Sequence, residues 1–439
     1  MNKYTPQTFK SDILREEYRK YTHPCGLDIY VYPKKMSATY AIFGTKYGSI
    51  HNTFRPQGSD EWITVPDGIA HFLEHKLFFN EDGSDSFERF SEYGADANAY
   101  TSFNKTAYLF SCTGALDKSL GELIDFVTHP YFTDASVASE VGIISEEIKM
   151  YEDNPGDRCF YGMLKGLYSD HSIRRNICGD TESIRRVSAK TLYDCYNAFY
   201  TPSNMALIVC GDVRDEDILA IADAHLPSAP YGITVERANE NDKESPTAHK
   251  AYVENKMPVA KPLFSIGFKD TDIPASAEQR TKKDITNSIL DEMIFARAGK
   301  LYDSLFERGL ISPAFSYGYT ISREFAYHSV AGEADDPRLV LDEIFAYLDL
   351  LRTNGLDESD FLRAKRVMYA EAVKAFDSTE NIANSLFSYV CEDSEILSSQ
   401  DIIASVTFSD VCNAFECAFN KDSVTLSVVI PNNKENEVE

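Results

Sequence analysis

The chain has 439 residues, 43% hydrophobic and 12% aromatic, with a formal net charge of −26 and a pI near 4.7. That length supports two cores of ordinary size, and the charge weighs against nucleic acid or an anionic membrane as partner, since both are polyanions. No apolar run is long enough to span a bilayer, and the polar start from Met1 to Pro6 lacks the apolar core of a secretory signal. A cytoplasmic protein is therefore expected. Its nine cysteines are scattered, odd in number and free of paired metal-ligand spacing, as reduced core thiols would be.

Two strands open the chain: Leu27 to Tyr32 alternates, and Ala38 to Gly44 is apolar and rich in strand formers. The next stretch, His71-Phe72-Leu73-Glu74-His75, reads as a helix, with Asp67 as its expected cap and Ile69, Phe72, Leu73 and Leu77 on one face. Residues four apart stack on a helix, so His71 and His75 can offer two imidazole nitrogens to one ion while Glu74 reaches the same space. Two such ligands and a carboxylate base are what a catalytic zinc uses to activate water.

A short helix with Phe87, Phe90 and Tyr93 follows, closed by Gly94 as C-cap. Asn98 to Thr101 and Thr106 to Cys112 read as a hairpin, and Leu116 to Val127 as a helix. After Pro130 a second helix buries Val137, Val141, Ile144, Ile148 and Tyr151, with Glu140 and Glu147 two turns apart on a face beside that stripe. A catalytic zinc needs a third ligand: one of these glutamates can bind the metal while the other steadies the ligands. Glu146 is expected on a solvated face. A helix from Ala189 to Tyr200 and a strand from Met205 to Cys210 complete the first half.

Residues 187–212 align without a gap to 406–431, and the Asp134 to Met150 helix has a weaker echo at Glu358 to Lys374. Two homologous domains follow, residues 1–227 and 251–439, joined by a polar linker at 228–250. The fold class is α+β, each domain a mainly antiparallel sheet layered with helices. The second domain has no such histidine pair: its comparable stretch is Ile289-Leu290-Asp291-Glu292-Met293.

With the histidine motif, the stretch Gly94 to Ser102, Thr106-Ala107-Tyr108, glutamates seven apart, Tyr200 to Met205 and Gly211-Asp212, the chain resembles the pitrilysin and insulinase family of inverted zinc peptidases. The resemblance implies one zinc per chain held by His71, His75 and Glu147, Glu74 as general base and Glu140 as supporting acid. It places Asn98 and Ala99 on an edge strand that takes an extended peptide substrate by strand addition. It implies short or unfolded peptides cut inside a closed chamber, and a homodimer or a heterodimer with a zinc-free homologous subunit. Family members commonly carry an arginine and a tyrosine in the second domain. Here Leu301 to Ser312 has Phe306 where the arginine is expected and no tyrosine in the usual place, while Tyr317 and Tyr319 follow as strand or core residues. This departure opens an alternative: a peptide-binding processing or maturation factor that needs a zinc-free sister subunit.

Overall fold

A computed structural model of the chain describes residues 4–239 and 244–432. In chain order the strands of the first half are β1 (Gln7–Ser11), β2 (Glu16–Thr22), β3 (Asp28–Pro33), β4 (Thr39–Thr45), β5 (Thr53–Pro56), β6 (Ile63–Thr64), β7 (Asp96–Thr101), β8 (Thr106–Cys112), β9 (Met205–Gly211) and β10 (Val235–Arg237). Those of the second half are β11 (Tyr252–Met257), β12 (Leu263–Asp270), β13 (Ser316–Ile321), β14 (Ala326–Glu333) and β15 (Val424–Pro431).

The large first sheet runs β1-β2-β3-β9-β4-β8-β7 and the other large sheet β11-β15-β12-β14-β13. Within each, one pair is parallel, β3 with β9 and β11 with β15, and every other pair is antiparallel. The order β3-β9-β4-β8-β7 thus repeats strand for strand as β11-β15-β12-β14-β13. The helix and strand Ala189–Phe199 and β9 have their counterparts in Phe408–Cys417 and β15, as the internal repeat requires. The mixed α+β class of two related, mainly antiparallel halves is the one expected.

The compact units are not continuous stretches of chain, and this revises the expected division at 228–250. One unit takes the described residues up to 148, with 176–238 and 372–398; the other takes 149–175, 239–371 and the described residues from 399 onward. The physical reason lies in two helices. Thr379–Cys391, late in the chain, packs on β4 and β9 and shares a core with Ile42, Ile208, Ile382 and Leu386. Pro155–Leu167, early in the chain, packs on β12 and β15. The expected linker is also partly structured: β10 pairs with β5, while Lys250 donates its backbone N–H to Gly166 within the second unit. Residues 240–243 of that linker lie outside the described ones. β1 and β2 precede the first strand expected from the sequence, and of β2 only Tyr18 and Tyr21 are buried.

Gly44 shows how closely the late helix seats on the first sheet. A Cβ built there would lie 2.1 Å from the ring of the fully buried Phe387, so no side chain fits unless that ring or its helix shifts. We expect Gly44→Val to cost about 1–3 kcal/mol through overpacking, read as a lower urea midpoint. A variant as stable as wild type would show that the helix does not rest on this strand.

Candidate metal centre

The histidine motif lies on the helix Ile69–Leu77. Asp67 does not cap it: the N-cap is Gly68 at φ 85°, with no side-chain cap, and Asp67 instead accepts a hydrogen bond from Asn52 at 2.6 Å. The reason is crowding. The carbonyl oxygen of Cys178 would lie 2.3 Å from a Cβ at position 68, and the left-handed backbone there suits glycine. Ile69, Phe72, Leu73 and Leu77 are buried as the periodicity requires, which leaves His71, Glu74 and His75 on the working face.

The second helix, Asp134–Glu152, buries Val137, Ile144 and Ile148 and brings its glutamates to that face. Glu147 Oε1 lies 3.5 Å from His71 Nε2, and Glu147 Oε2 lies 3.3 Å from His75 Nε2. Ligand atoms of His71, His75 and Glu147 all fall within 4.8 Å of one another. Glu140 occupies a different place: its Oε1 is 3.2 Å from His75 Nδ1 and its Oε2 is 3.5 Å from Lys76 Nζ. The geometry therefore separates the two glutamates that the helical pattern alone leaves equivalent. Glu147 faces both Nε2 atoms, and Glu140 holds the back of one ring.

The electrostatics follow from this packing. Hydrogen bonds from His71 and then His75 hold the Glu147 carboxyl well below its ordinary range, against its partial burial. Burial would lower His75, but its bonds to Glu140 and Glu147 outweigh this and push it up to about 9. Burial acts on Glu140 in the raising direction, and the bond from His75 with the charge of Lys76 brings it below the usual value. Glu74 moves the other way: burial raises it, and His71, a bond from Thr101 and His75 only partly oppose that. Burial also lowers Lys76, whose ammonium sits 3.9 Å from the Phe79 ring centroid.

Three neighbours carry no signal in the histidine motif. Thr101 Oγ1 donates to Glu74 Oε2 at 2.5 Å, tying the end of β7 to this carboxylate. Alternation places Thr101 on the same face of β7 as Ala99, but the bond to Glu74 arises only in the fold. Cys178 Sγ lies 3.8 Å from His71 Nε2. Lys76 is 1% exposed, a burial that a lysine beside two histidines does not announce.

Asn98 and Ala99 lie on β7, the last strand of its sheet, where they pair with Leu109 and Tyr108 of β8. The N–H of Ala99 donates to Asn98 Oδ1 at 2.8 Å. In the second unit, Phe306 is exposed and stacks on Tyr302 with centroids 5.7 Å apart. Tyr317 donates to Glu292 at 2.6 Å and Tyr319 to Asp270 at 2.7 Å, so both tyrosines are held within their own unit. Among the described residues no helix is long and apolar enough to cross a membrane.

Comparison with known proteins agrees with this arrangement. Residues 64–181 match the model of the insulinase peptidase family, M16, and residues 186–368 the model described as the M16 peptidase inactive domain. A Bacillus subtilis protein named an uncharacterized zinc protease, YmfH, is 38% identical over 408 residues, covering 92% of this chain and 95% of its own. A crystal structure described as an M16-like peptidase, from Alicyclobacillus acidocaldarius, superposes with a TM-score of 0.89 at 30% identity, covering 98% of this chain and 99% of its own. A Helicobacter pylori protease shares the fold, with a TM-score of 0.79 at 17% identity over 95% of this chain and 100% of its own. The chain belongs to the insulinase, or M16, family of peptidases.

Proposed function

We propose that the chain is a zinc metallopeptidase that hydrolyses peptide bonds of short or unfolded peptides. One observation carries this reading: the ligand atoms of His71, His75 and Glu147 converge within 4.8 Å, with Glu74 on the same helix turn and buried. Two imidazole nitrogens and a carboxylate oxygen are a donor set that suits zinc and leaves a position open for chemistry. When bound, zinc supplies a Lewis acid that polarises a carbonyl and acidifies water.

The remaining work falls to the protein. Glu140 fixes the ring of His75 through Nδ1, so that Nε2 is presented to the centre. Glu74 takes a proton from the attacking water and returns it to the leaving amine. Burial raises its affinity for that proton, which suits a base that must later act as an acid. The Thr101 hydroxyl holds one of its oxygens, leaving the other to work. An extended substrate adds to the free edge of β7 beside Asn98 and Ala99, in reach of this base through Thr101. In this reading one zinc is held per chain, and the working form is a homodimer or a heterodimer with a zinc-free sister that encloses the substrate. Seven of the nine cysteines are buried, as core thiols of a protein working in a reducing compartment such as the cytoplasm would be.

A second reading, a peptide-binding maturation factor with little turnover alone, is favoured by Phe306 at the place of the expected arginine and by Tyr317 and Tyr319 being held in their own unit.

Two outcomes test the reading. Glu74→Gln is expected to keep about one zinc per chain by elemental analysis while losing at least about 10³-fold in cleavage of an unfolded-peptide library; zinc retained by wild type with no cleavage, alone or mixed with a zinc-free sister, would favour the maturation factor. Metal binding should also be linked to protons. His75 in the metal-free chain titrates near 9, so at neutral pH zinc must displace its proton. Titration calorimetry in buffers of different ionisation enthalpy should find about one proton released per zinc, with affinity rising about tenfold per pH unit toward pH 9. The same raised value stabilises the metal-free fold below the unfolded histidine pKa, and that contribution is lost as pH rises through about 9. A proton count of zero would contradict the arrangement of His75 between Glu140 and Glu147.

A further inference from the structure

Lys76 follows His75 directly on the helix Ile69–Leu77, yet its side chain is turned inward and the residue is 1% exposed. A buried ammonium is costly unless it is paired. Among the described residues its one carboxylate partner is Glu140, with Nζ 3.5 Å from Oε2, and the centroid of the Phe79 ring lies 3.9 Å from Nζ. Phe79 is itself 41% exposed, so an outer ring covers a buried ammonium and adds a cation–π contact.

Such a pair contributes little to the fold. Apolar groups of similar volume in place of a buried ion pair are commonly as stable or more so, and 3.5 Å is long for a charge-assisted hydrogen bond. Its consequence lies at the metal centre. Glu140 is 4% exposed and both its oxygens are engaged: Oε1 lies 3.2 Å from His75 Nδ1, and Oε2 faces Lys76. A carboxylate held at one oxygen can swing about its last carbon–carbon bond, whereas one held at both cannot. With Lys76 on the second oxygen, the first stays on Nδ1, and the ring keeps Nε2 turned toward Glu147, 3.3 Å away.

We propose that Lys76 is a positioning residue of the metal centre: its ammonium holds Glu140 against His75, and through that ring it keeps His75 Nε2 in the zinc-binding arrangement with His71 and Glu147. The proposal rests on the zinc reading of this site and extends it one layer outward. Outer partners of metal-binding histidines commonly carry about 10–100-fold of metal affinity.

A cycle of four proteins tests it: wild type, Lys76→Met, Glu140→Gln and the double variant, all as the full chain. Zinc affinity is read by competition with a chelating dye, and the shape of the centre by the visible absorption of the cobalt-loaded proteins. Lys76→Met keeps the apolar stem and removes the ammonium; it is expected to weaken zinc at least about tenfold and to alter the cobalt spectrum. In the Glu140→Gln background the same change should alter zinc affinity by less than about twofold, because the carboxylate through which it acts is gone. Wild-type affinity and an unchanged spectrum in Lys76→Met would overturn the proposal while leaving the zinc reading intact. Equal weakening in both backgrounds would also overturn it, since the lysine would then support the helix and not Glu140. A wild-type chain that binds no zinc would overturn both. Where Lys76→Met does not fold, Phe79→Leu, at the exposed ring over the ammonium, takes its place in the same cycle, with about threefold weakening expected and the same overturning results.

Discussion

The first unit's site depends on one carboxylate drawn between two imidazoles. His71 and His75 are set one turn apart by the helix, and this spacing is free of any tertiary requirement. Glu147 comes from another helix, and bringing it 3.3–3.5 Å from both rings requires that the Asp134–Glu152 helix be seated in one register. The buried stripe of Val137, Ile144 and Ile148 sets that register, while Glu140, one heptad earlier, locks the outer nitrogen of His75 and the ammonium of Lys76. Glu74, Glu140 and Glu147 gather here with Lys76, and these four groups, when ionised, leave two negative charges if both histidines are neutral. A divalent cation matches that deficit, and in its absence the raised pKa of His75 supplies part of it.

The legible parts were those in which periodicity decides. The i, i+4 histidines, the glutamates two turns apart and the alternating β7–β8 hairpin all depend on spacing along one element, and spacing survives without knowledge of the fold. What failed depended on neighbours remote in sequence. Asp67 is a good capping residue in isolation, yet Gly68 takes the position because the backbone of Cys178 presses on it. Thr101 looks like any strand threonine until Glu74 is set against it. β1 and β2 pair with little apolar signal, because one side of that edge stays wet. The exchange of Pro155–Leu167 and Thr379–Cys391 between compact units was invisible for the same reason: an amphipathic helix declares that it has an apolar face, but not which sheet will cover it.

The repeat shows how far a scaffold can hold while its chemistry changes. β8 and β14 occupy the same place in their sheets; with Leu207 and Leu426 matched by the repeat, register makes Ile266 the counterpart of Phe43 and Val330 the counterpart of Tyr108. In the first unit Tyr108 donates to or accepts from Tyr200 at 2.9 Å, below the helix that carries Glu74. In the second the equivalent position is the buried, apolar Val330, and it is His328, two residues earlier on β14, that reaches Asp291 on the helix Ala277–Phe295. The sheet order is unchanged because backbone pairing and apolar alternation are indifferent to these swaps; the polar groups between sheet and helix are where the two halves diverge. Fold and site are separable quantities here: the second half keeps the sheet order while much of it matches the model described as the M16 peptidase inactive domain.

In the proposed peptidase, the position of β7 at the end of its sheet accounts for acceptance of many sequences. An unpaired edge N–H invites association with other chains, and here the N–H of Ala99 is covered by the side chain of its own neighbour, Asn98. That bond closes a very short loop and commits one side-chain torsion, so a backbone carbonyl of an incoming strand can replace it with an equivalent bond. The exchange is close to neutral in hydrogen bonds. Selection then falls on whether a peptide can present an extended, unpaired backbone at all. In the proposed peptidase this favours unfolded segments over folded ones through the chemistry of the edge itself, before any side-chain pocket is consulted.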